Sequence, residues 1–257
     1  MVCSPVSERL YGRQAVREAL RAGRRQVKRL RLADGVRDTG IIAEIVSLAE
    51  KAGCPVQRVE RRDLDQIVAK HQGVVLDASP YPYEDLPSIL AHMERGKDPP
   101  LLLVLDHLED PRNVGALLRT AEAAGVRGVV LPKRRSAAIT PAACETSAGA
   151  VEHLLVAQVT NLARALTEVK QAGLWVAGLE ALPEAQRYDT LDLTGPLALV
   201  VGSEGRGLSR LVRERCDWLL SLPMRGSVGS LNASVAGSIA LYWILHCRTR
   251  QTELEEQ

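Results

Sequence analysis

Three segments of the chain combine polar side chains and glycines in patterns that could bind a ligand and transfer a chemical group. The first, Asp106–Arg119, reads D-H-L-E-D-P-R-N-V-G-A-L-L-R. It begins where an apolar run ends, and open α/β sheets place their ligands at the carboxyl ends of strands. A proline after a capping aspartate predicts the start of a helix that carries both Asn113 and Arg119. The alternative is a plain surface helix on which Arg119 pairs with Glu122.

The second segment, Val200–Gly207, reads V-V-G-S-E-G-R-G and takes an apolar run into a glycine-rich turn. Glycines let the backbone approach a ligand closely and expose amide donors. Their order, G-x-x-G-x-G, matches neither the dinucleotide fingerprint G-x-G-x-x-G nor a P-loop. Glu204 in this turn could accept hydrogen bonds from a ligand or be solvated, and a simple strand-to-helix turn is the alternative.

The third segment, Leu222–Ser234, reads L-P-M-R-G-S-V-G-S-L-N-A-S and follows a strand predicted at Trp218–Leu222. Ser230 and Asn232 fall where the last helix should begin. They either contribute polar groups to a site or only cap the helix, because both side chains accept hydrogen bonds from free backbone amides.

The last helix, predicted over Leu231–Cys247, is apolar almost all round. It is too short to cross a bilayer and too apolar for a helix that faces solvent. Three small residues lie roughly in line along it: Ala233, Gly237 and Ala240. We expect one face to meet its own domain and the other a second copy, because symmetric pairs are the commonest oligomers; burial within one subunit is the alternative.

The elements around these segments alternate between helix and strand, which predicts an α/β fold with a mostly parallel sheet. Helices are predicted at Gly12–Ala22, Ile41–Ala52, Arg62–Lys70, Leu86–Arg95, Arg112–Ala124 and Leu162–Ala172. Strands are predicted at Val27–Leu32, Pro55–Val59, Val74–Asp77, Leu101–Leu105, Val126–Leu131, Leu174–Leu179 and Leu197–Val201. Proline clusters at Ala78–Leu86 and Lys97–Pro100 indicate a linker over 79–99, between a small domain, 1–78, and a larger one, 100–257.

The front of the chain is basic, although the whole carries a net charge of only +2. Residues 1–75 contain 15 Lys and Arg against 9 Asp and Glu. Arg13, Arg17 and Arg21 share one helix face, where stacked like charges weaken a helix unless a polyanion binds. We predict that this face, with Arg24 and Arg25 after it, binds RNA; a solvated Arg-rich face is the alternative. Further basic residues come next: Lys28, Arg29 and Arg31.

Composition and residue spacing argue against several other classes of protein. With 46% hydrophobic and 25% charged residues, the chain should fold around a core rather than stay disordered. Its five cysteines lack any C-x-x-C pair, which argues against a disulfide framework or zinc site and fits a reducing cytosol: Cys3, Cys54, Cys144, Cys216 and Cys247. The histidines show no ligand spacing, so we expect no metal. We expect neither a signal peptide nor a membrane span, and the missing G-x-S-x-G argues against an α/β-hydrolase.

Taken together and in this order, the three segments resemble the signature motifs of the SpoU/TrmH family of RNA ribose methyltransferases. Tyr11–Leu20, Val130–Pro141 and Val159–Leu166 are also similar to family members. The two-domain form most resembles the RlmB branch, which methylates a guanosine ribose in large-subunit ribosomal RNA. The resemblance implies a carboxyl-terminal α/β trefoil-knot (SPOUT) methyltransferase domain behind a small amino-terminal α/β, ribosomal-protein-like RNA-binding domain. It also implies a homodimer formed through the last helices.

The same resemblance implies a cofactor and a set of site residues. The cofactor would be S-adenosylmethionine, held largely through backbone groups at Gly202, Leu222 and Leu231. Five side chains would form the catalytic centre: Arg119, Asn113, Glu204, Ser230 and Asn232. The sequence departs from the family at two positions, with Arg112 where many relatives have His and Gly229 where Ser is frequent.

The expected reaction is attack by a ribose 2′-hydroxyl on the electrophilic methyl carbon of the cofactor's sulfonium. An ordinary Arg is a poor base, so Arg119 acts either with a strongly shifted pKa or as a stabiliser of developing charge. The same motifs would serve a tRNA or another rRNA site. Two other classes compete: a non-catalytic RNA-binding ribosome-assembly factor, and a nucleotide-dependent oxidoreductase, which the missing G-x-G-x-x-G disfavours.

Overall fold

The computed structural model describes residues 7–95 and 98–255; Cys3 and Lys97 lie outside the described residues. The strands are β1 (Glu8–Tyr11), β2 (Val27–Ala33), β3 (Val56–Val59), β4 (Val74–Ala78), β5 (Leu101–Asp106), β6 (Gly128–Pro132), β7 (Leu155–Val159), β8 (Trp175–Leu179), β9 (Gln186–Arg187), β10 (Leu197–Gly202) and β11 (Trp218–Ser221). The helices are α1 (Arg13–Ala22), α2 (Ile41–Lys51), α3 (Arg61–Asp65), α4 (Leu86–Glu94), α5 (Pro111–Ala123), α6 (Pro141–Thr146), α7 (Leu162–Gln171), α8 (Arg210–Arg213) and α9 (Ala233–Glu255), with a 3₁₀ turn at Ala150–His153.

The chain divides into two compact units, of which the first comprises Met1–Pro82 and Ile139–His153. Its four-stranded sheet has the order β1-β4-β2-β3, with β2 and β3 parallel and the other pairs antiparallel. Leu10, Leu76 and Leu30 stand in register across β1, β4 and β2 and are fully buried. Their row forms the apolar side of the sheet, and α1 packs against both β1 and β4.

The buried side chain of Arg25 ties the later segment Ile139–His153 into this unit. Arg25 Nη2 donates to Glu152 Oε1 at 2.8 Å and Nε donates to Oε2 at 2.9 Å. Its Nη1 donates to Glu8 Oε2 at 2.8 Å. Burial alone would lower the pKa of Arg25, but the Glu152 and Glu8 carboxylates raise it above its ordinary value, so the guanidinium stays charged. A guanidinium enclosed in this way is not placed to touch RNA, unlike the role predicted for Arg25.

The second unit comprises Tyr83–Ala138 and Leu154–Gln257 and holds a sheet of seven parallel strands. The strand order is β7-β6-β5-β10-β8-β11-β9, which confirms the predicted α/β class and parallel sheet. β10 is inserted between β5 and β8, and β11 lies between β8 and β9. Strands late in the chain are thus interleaved among earlier ones, an order that accords with the expected knotted fold.

Helices cover both faces of the second sheet. On one side, α4 and α7 share a core with the strands through buried residues such as Ile89, Met93 and Leu166. On the other, α5 packs against α9. A Cβ added at Gly237 would lie 2.8 Å from Leu117 Cδ1, so the two helices approach more closely there than a larger residue permits. No helix in the described ranges is long and apolar enough to cross a membrane.

The structure differs from the sequence-based elements in a few places. β1 and β7 were not predicted because each lies at a sheet edge and offers few fully buried side chains. α9 extends beyond Cys247 because its polar continuation consists largely of good helix formers. The predicted linker, 79–99, contains α4, and Glu84 N donates to Val156 O at 2.9 Å within the second unit. The division into 1–78, 79–99 and 100–257 stays a prediction, since contacts do not test which parts fold independently.

The buried ion pair leads to a stability prediction. Arg25→Ala should lower the free energy of unfolding by about 3–5 kcal/mol, because it leaves the Glu152 carboxylate buried and without its cation. Arg21→Ala is the matched control: Arg21 pairs with Glu44 and Glu18 at the surface, so its loss should cost less than about 1 kcal/mol. Urea denaturation of the full chain measures both. Equal midpoints for the two variants would contradict the structural role of Arg25.

Candidate active site

The carboxyl ends of neighbouring parallel strands bring the three polar segments to one edge of the second sheet. Gly202 at the end of β10 pairs in register with Asp106 at the end of β5. β11, the strand before the third segment, runs parallel to β8, which in turn pairs with β10. Because all these strands run in the same direction, the segments that follow them emerge on the same side.

A hydrogen-bonded cluster joins the three segments. Asn113 Nδ2 donates to Glu204 Oε1 at 2.8 Å, and Asn232 Nδ2 donates to Asn113 Oδ1 at 3.0 Å. Asn232 Nδ2 also donates to Glu204 Oε1. A single carboxylate oxygen therefore accepts from two amides that lie 119 residues apart in the chain.

Asn232 is at the same time the cap of α9. Its Oδ1 accepts from Ser234 N at 2.9 Å and from Val235 N at 3.2 Å. Asn232 thus caps the helix with the oxygen of its amide and joins the hydrogen-bonded cluster with the nitrogen. At the start of α5, Asp110 is the predicted cap and accepts from Arg112 N at 2.9 Å.

The glycine-rich turn after β10 closes on itself. Ser203 N donates to Gly207 O at 3.2 Å, and Gly207 N donates to Ser203 O at 3.0 Å. A Cβ at Gly202 would lie 2.4 Å from the carbonyl of Gly207, so only glycine permits this closure. Glu180 bonds to the residue that follows the turn: its Oε2 accepts from Leu208 N at 2.9 Å.

Two residues at this edge were missed by sequence reasoning. Glu180 belongs to no motif and lies just beyond β8, so no sequence signal pointed to it. Asp106 is 1% exposed, and its Oδ2 accepts from Ser209 N at 2.6 Å. Asp106 opens the first of the three segments but was assigned no role there. The available signal is that it is the one charged residue in the strand L-L-L-V-L-D, which is buried along its whole length.

A cavity of about 390 Å³ opens between the glycine-rich turn and the segment before α9. The three positions predicted to hold a cofactor all line it: Gly202, Leu222 and Leu231. Glu204 and Ser230 lie on its wall, and apolar side chains such as Leu179 and Leu220 form much of the rest. Its size and its mixture of apolar wall with exposed backbone suit a drug-sized ligand that has both an apolar ring and polar ends.

A second cavity, of about 480 Å³, adjoins the first. The two share Ser203, Glu204, Arg206, Gly207 and Ala233. Asp106, Asn113 and Arg135 line only the second. Glu204 therefore stands in the wall between two spaces, an arrangement that suits transfer of a group from one bound molecule to another.

Arg119 is not part of the cluster. It is exposed on α5, and its side chain forms no hydrogen bond or ion pair with any residue in the described ranges, including Glu122. Six residues separate it from Asn113, which places it about 240° around the helix and about 9 Å further along it. Its predicted catalytic role is therefore left to experiment.

The arginines of α1 are largely engaged by carboxylates. Arg17 Nε lies 2.7 Å from Glu18 Oε1, and Arg21 pairs with both Glu18 and Glu44. Burial raises the pKa of Glu18, but hydrogen bonds with His153 and Arg17 outweigh this and lower it below its ordinary value. The repulsion between stacked arginines is therefore offset within the unit. The two remaining predicted RNA contacts also have partners: Arg13 donates to Gln72 O and Arg24 to Tyr81 Oη, both at 3.1 Å.

Known proteins resemble the chain over nearly its whole length. It is 44% identical over 240 residues to the putative TrmH family tRNA/rRNA methyltransferase YacO of Bacillus subtilis, covering 93% of this chain and 95% of the relative. It is 44% identical over 243 residues to the 23S rRNA (guanosine-2′-O-)-methyltransferase RlmB of Pseudomonas syringae pv. tomato, covering 94% and 96%.

Solved structures share the fold. The SpoU methyltransferase AviRb from Streptomyces viridochromogenes superposes with a TM-score of 0.79 at 23% identity, covering 95% of this chain and 91% of that one. An AdoMet-bound rRNA methyltransferase from Sinorhizobium meliloti gives 0.78 at 24%, covering 93% and 87%. A profile for the substrate-binding domain of RNA 2′-O ribose methyltransferases matches residues 9–84, and the SpoU rRNA methylase profile matches residues 100–242. The chain belongs to the SpoU rRNA methylase family.

Proposed function

We propose that this protein transfers a methyl group from S-adenosylmethionine to the ribose 2′-hydroxyl of a guanosine in 23S rRNA, in the cytoplasm. The observation that carries the proposal is the Glu204 carboxylate, held by Asn113 and Asn232 in the wall between two cavities. The relative from Pseudomonas syringae, whose name gives that reaction, supports the choice of substrate.

The cavity of about 390 Å³ fits the cofactor. Gly202, Leu222 and Leu231 would hold it, with the apolar wall around its adenine and the glycine-rich turn offering backbone groups. When bound, S-adenosylmethionine supplies a methyl carbon made electrophilic by its sulfonium. The target ribose would enter through the adjoining cavity, beside Asn113.

Glu204 is the residue best placed to take the hydroxyl proton. Its Oε1 is occupied by the two amides, whereas Oε2 accepts no hydrogen bond from the described residues. An oriented carboxylate with one free oxygen can share the proton of a poor nucleophile and so raise its reactivity. Arg119, whose side chain bonds to none of the described residues, would stabilise developing charge or bind an adjacent phosphate.

We also propose a homodimer formed through α9. Val235, Ile239 and Tyr242 follow one another at helical spacing and are 46%, 39% and 52% exposed. The opposite side of the helix, with Ala233, Gly237 and Ala240, is buried against its own unit, where α9 packs on α5. An apolar stripe left exposed beside a buried face suits a second copy of the same helix.

The remaining proposals concern the predicted domains. Residues 1–78 would bind the substrate RNA, residues 79–99 would connect, and residues 100–257 would carry the transferase reaction. The profile match over residues 9–84 supports the first assignment.

The proposed role of Arg119 is tested by Arg119→Ala. Methyl transfer should fall by at least about 100-fold, as when one charge-stabilising donor is removed from other active sites. S-adenosylmethionine affinity, measured by calorimetry, should stay within about twofold. Arg112→Ala, which removes an exposed arginine from the same helix, is the control and should retain transfer. Activity of Arg119→Ala within tenfold of the parent would remove Arg119 from the catalytic centre.

The two roles of Asn232 are separated by comparing two substitutions. Asn232→Ser keeps a capping oxygen but removes the amide nitrogen that donates to Glu204. Methyl transfer should therefore fall by about 10-fold or more while the melting temperature stays nearly constant. Asn232→Ala should lose both, with an additional stability loss of about 1 kcal/mol. Full activity in the serine variant would mean that the amide of Asn232 serves only the helix.

The dimer is tested by Ile239→Glu, which places a charge in the exposed apolar stripe. Sedimentation should show a dimer for the parent chain and a monomer for the variant, because an unpaired charge at an apolar interface is costly. Ser238→Glu is less suitable as a control because Ser238 bonds to Thr120 within the subunit. Thr252→Glu serves instead, since Thr252 is exposed near the helix end and lies about 220° around the axis from Ile239. A monomeric parent would contradict the proposal.

The reaction is tested with labelled S-adenosylmethionine and bacterial 23S rRNA that lacks its native ribose methylations. Label on the 2′-oxygen of one guanosine is expected. Label only in a parallel tRNA sample would overturn the substrate and keep the chemistry. No transfer to either RNA, together with no thermal shift on adding S-adenosylmethionine, would favour the ribosome-assembly factor.

A further inference from the structure

One face of the first unit's sheet carries a row of charges across three strands. Arg9 on β1 pairs in register with Asp77 on β4, and Asp77 pairs with Arg29 on β2. Residues opposite each other in neighbouring strands point to the same face, so an aspartate is flanked by two arginines. Arg31, two residues after Arg29, stands on this face as well.

A β-bulge adds a fourth cation to this face. The pairing of β2 with β4 shifts between Val27 and Arg29, which leaves Lys28 as the extra residue. A bulge redirects a side chain that would otherwise point to the opposite face. Lys28 accordingly lines the same hollow as Arg9, Arg29 and Arg31. These four residues are called the sheet-face basic cluster below.

The hollow has an excess of positive charge. It measures about 450 Å³ and is lined by the four cations and a single carboxylate. Arg29 Nε and Arg31 Nη2 both donate to Asp77 Oδ2, at 3.1 and 2.7 Å, so one oxygen serves two guanidinium groups. Arg9 is exposed and has no ion-pair partner among the described residues.

The guanidinium of Arg31 is incompletely paired. Its Nη1 is buried and has no hydrogen-bond partner within the described part of the chain. Burial lowers the pKa of Arg31, the charge of Asp77 opposes this, and the neighbouring charges of Arg29 and Arg9 lower it further. A phosphate in the hollow would offset the repulsion among these positive charges.

The contrast with α1 decides which surface is available. On α1, the guanidinium groups of Arg17 and Arg21 already face the carboxylates of Glu18 and Glu44. RNA would have to compete with those ion pairs, whereas on the sheet face Arg9 has no ion-pair partner and Arg31 Nη1 has no hydrogen-bond partner among the described residues.

We infer that the sheet-face basic cluster binds the phosphodiester backbone of the substrate RNA. This inference rests on the proposed function for its choice of RNA. Arginine forks match phosphate oxygens in pairs of hydrogen bonds, and several such contacts make binding strongly dependent on salt. With aromatic residues at only 3% of the chain, contact through backbone charge suits this protein better than base stacking.

The test compares two double variants of the full chain that remove the same charge. Arg9→Gln with Lys28→Gln acts on the sheet face and leaves both ion pairs of Asp77 in place. Arg17→Gln with Arg21→Gln acts on α1. Filter binding of radiolabelled 23S rRNA transcript, over a series of KCl concentrations, gives the affinity and its salt dependence for each.

The sheet-face variant should bind about 10-fold more weakly at moderate salt, and its log–log salt slope should fall by about 1 to 2. The α1 variant should stay within about twofold of the parent. Equal weakening of both variants, or greater weakening of the α1 variant, would overturn the inference. The outcome is independent of methyl transfer: a parent that fails to methylate 23S rRNA, but binds it through the sheet face, would remove the proposed function and leave this inference standing.

Discussion

The carboxylate of Glu204 is the point on which the candidate site depends. It accepts from Asn113, which lies in the first turn of α5, and from Asn232, which caps α9. Neither amide is near Glu204 in the chain, so the contact exists only when β5 and β10 are paired and α9 has begun. The other end of the Asn232 side chain caps α9. The hydrogen-bonded cluster around Glu204 and the first turn of α9 therefore depend on the same residue.

Part of this arrangement could be predicted from the sequence, because the end of a buried strand is marked by a change from apolar to polar residues. The predicted strands Leu101–Leu105 and Leu197–Val201 indicated where two buried strands end, and each is followed directly by a segment that contains polar residues. The mutual bonding of Asn113, Glu204 and Asn232 was not predictable, since hydrogen bonds across such separations are set by strand order. That order inserts β10 between β5 and β8, against the rule that sequential strands tend to be neighbours.

The surroundings of the charged side chains were predicted least well from the sequence. Spacing placed Arg17 and Arg21 on one helix face correctly, but it could not tell that Glu44, on another helix, would meet them. Arg25 looked like a further surface cation and instead has a fully buried side chain paired with Glu152, 127 residues later. Whether an arginine is buried and paired depends on which distant carboxylate the fold places beside it. The local sequence pattern does not contain that information.

The attachment of Ile139–His153 to the first unit has a consequence for how such proteins recombine. The chain passes from one unit to the other after Pro82, after Ala138 and after His153. The first unit is therefore built from two separate segments of the sequence. A gene fusion that replaced residues up to 82 alone would leave the buried carboxylate of Glu152 without Arg25, its cation. The first unit is therefore completed by a stretch of sequence inside the methylase profile, and a graft of this unit onto another methylase domain would have to supply both pieces.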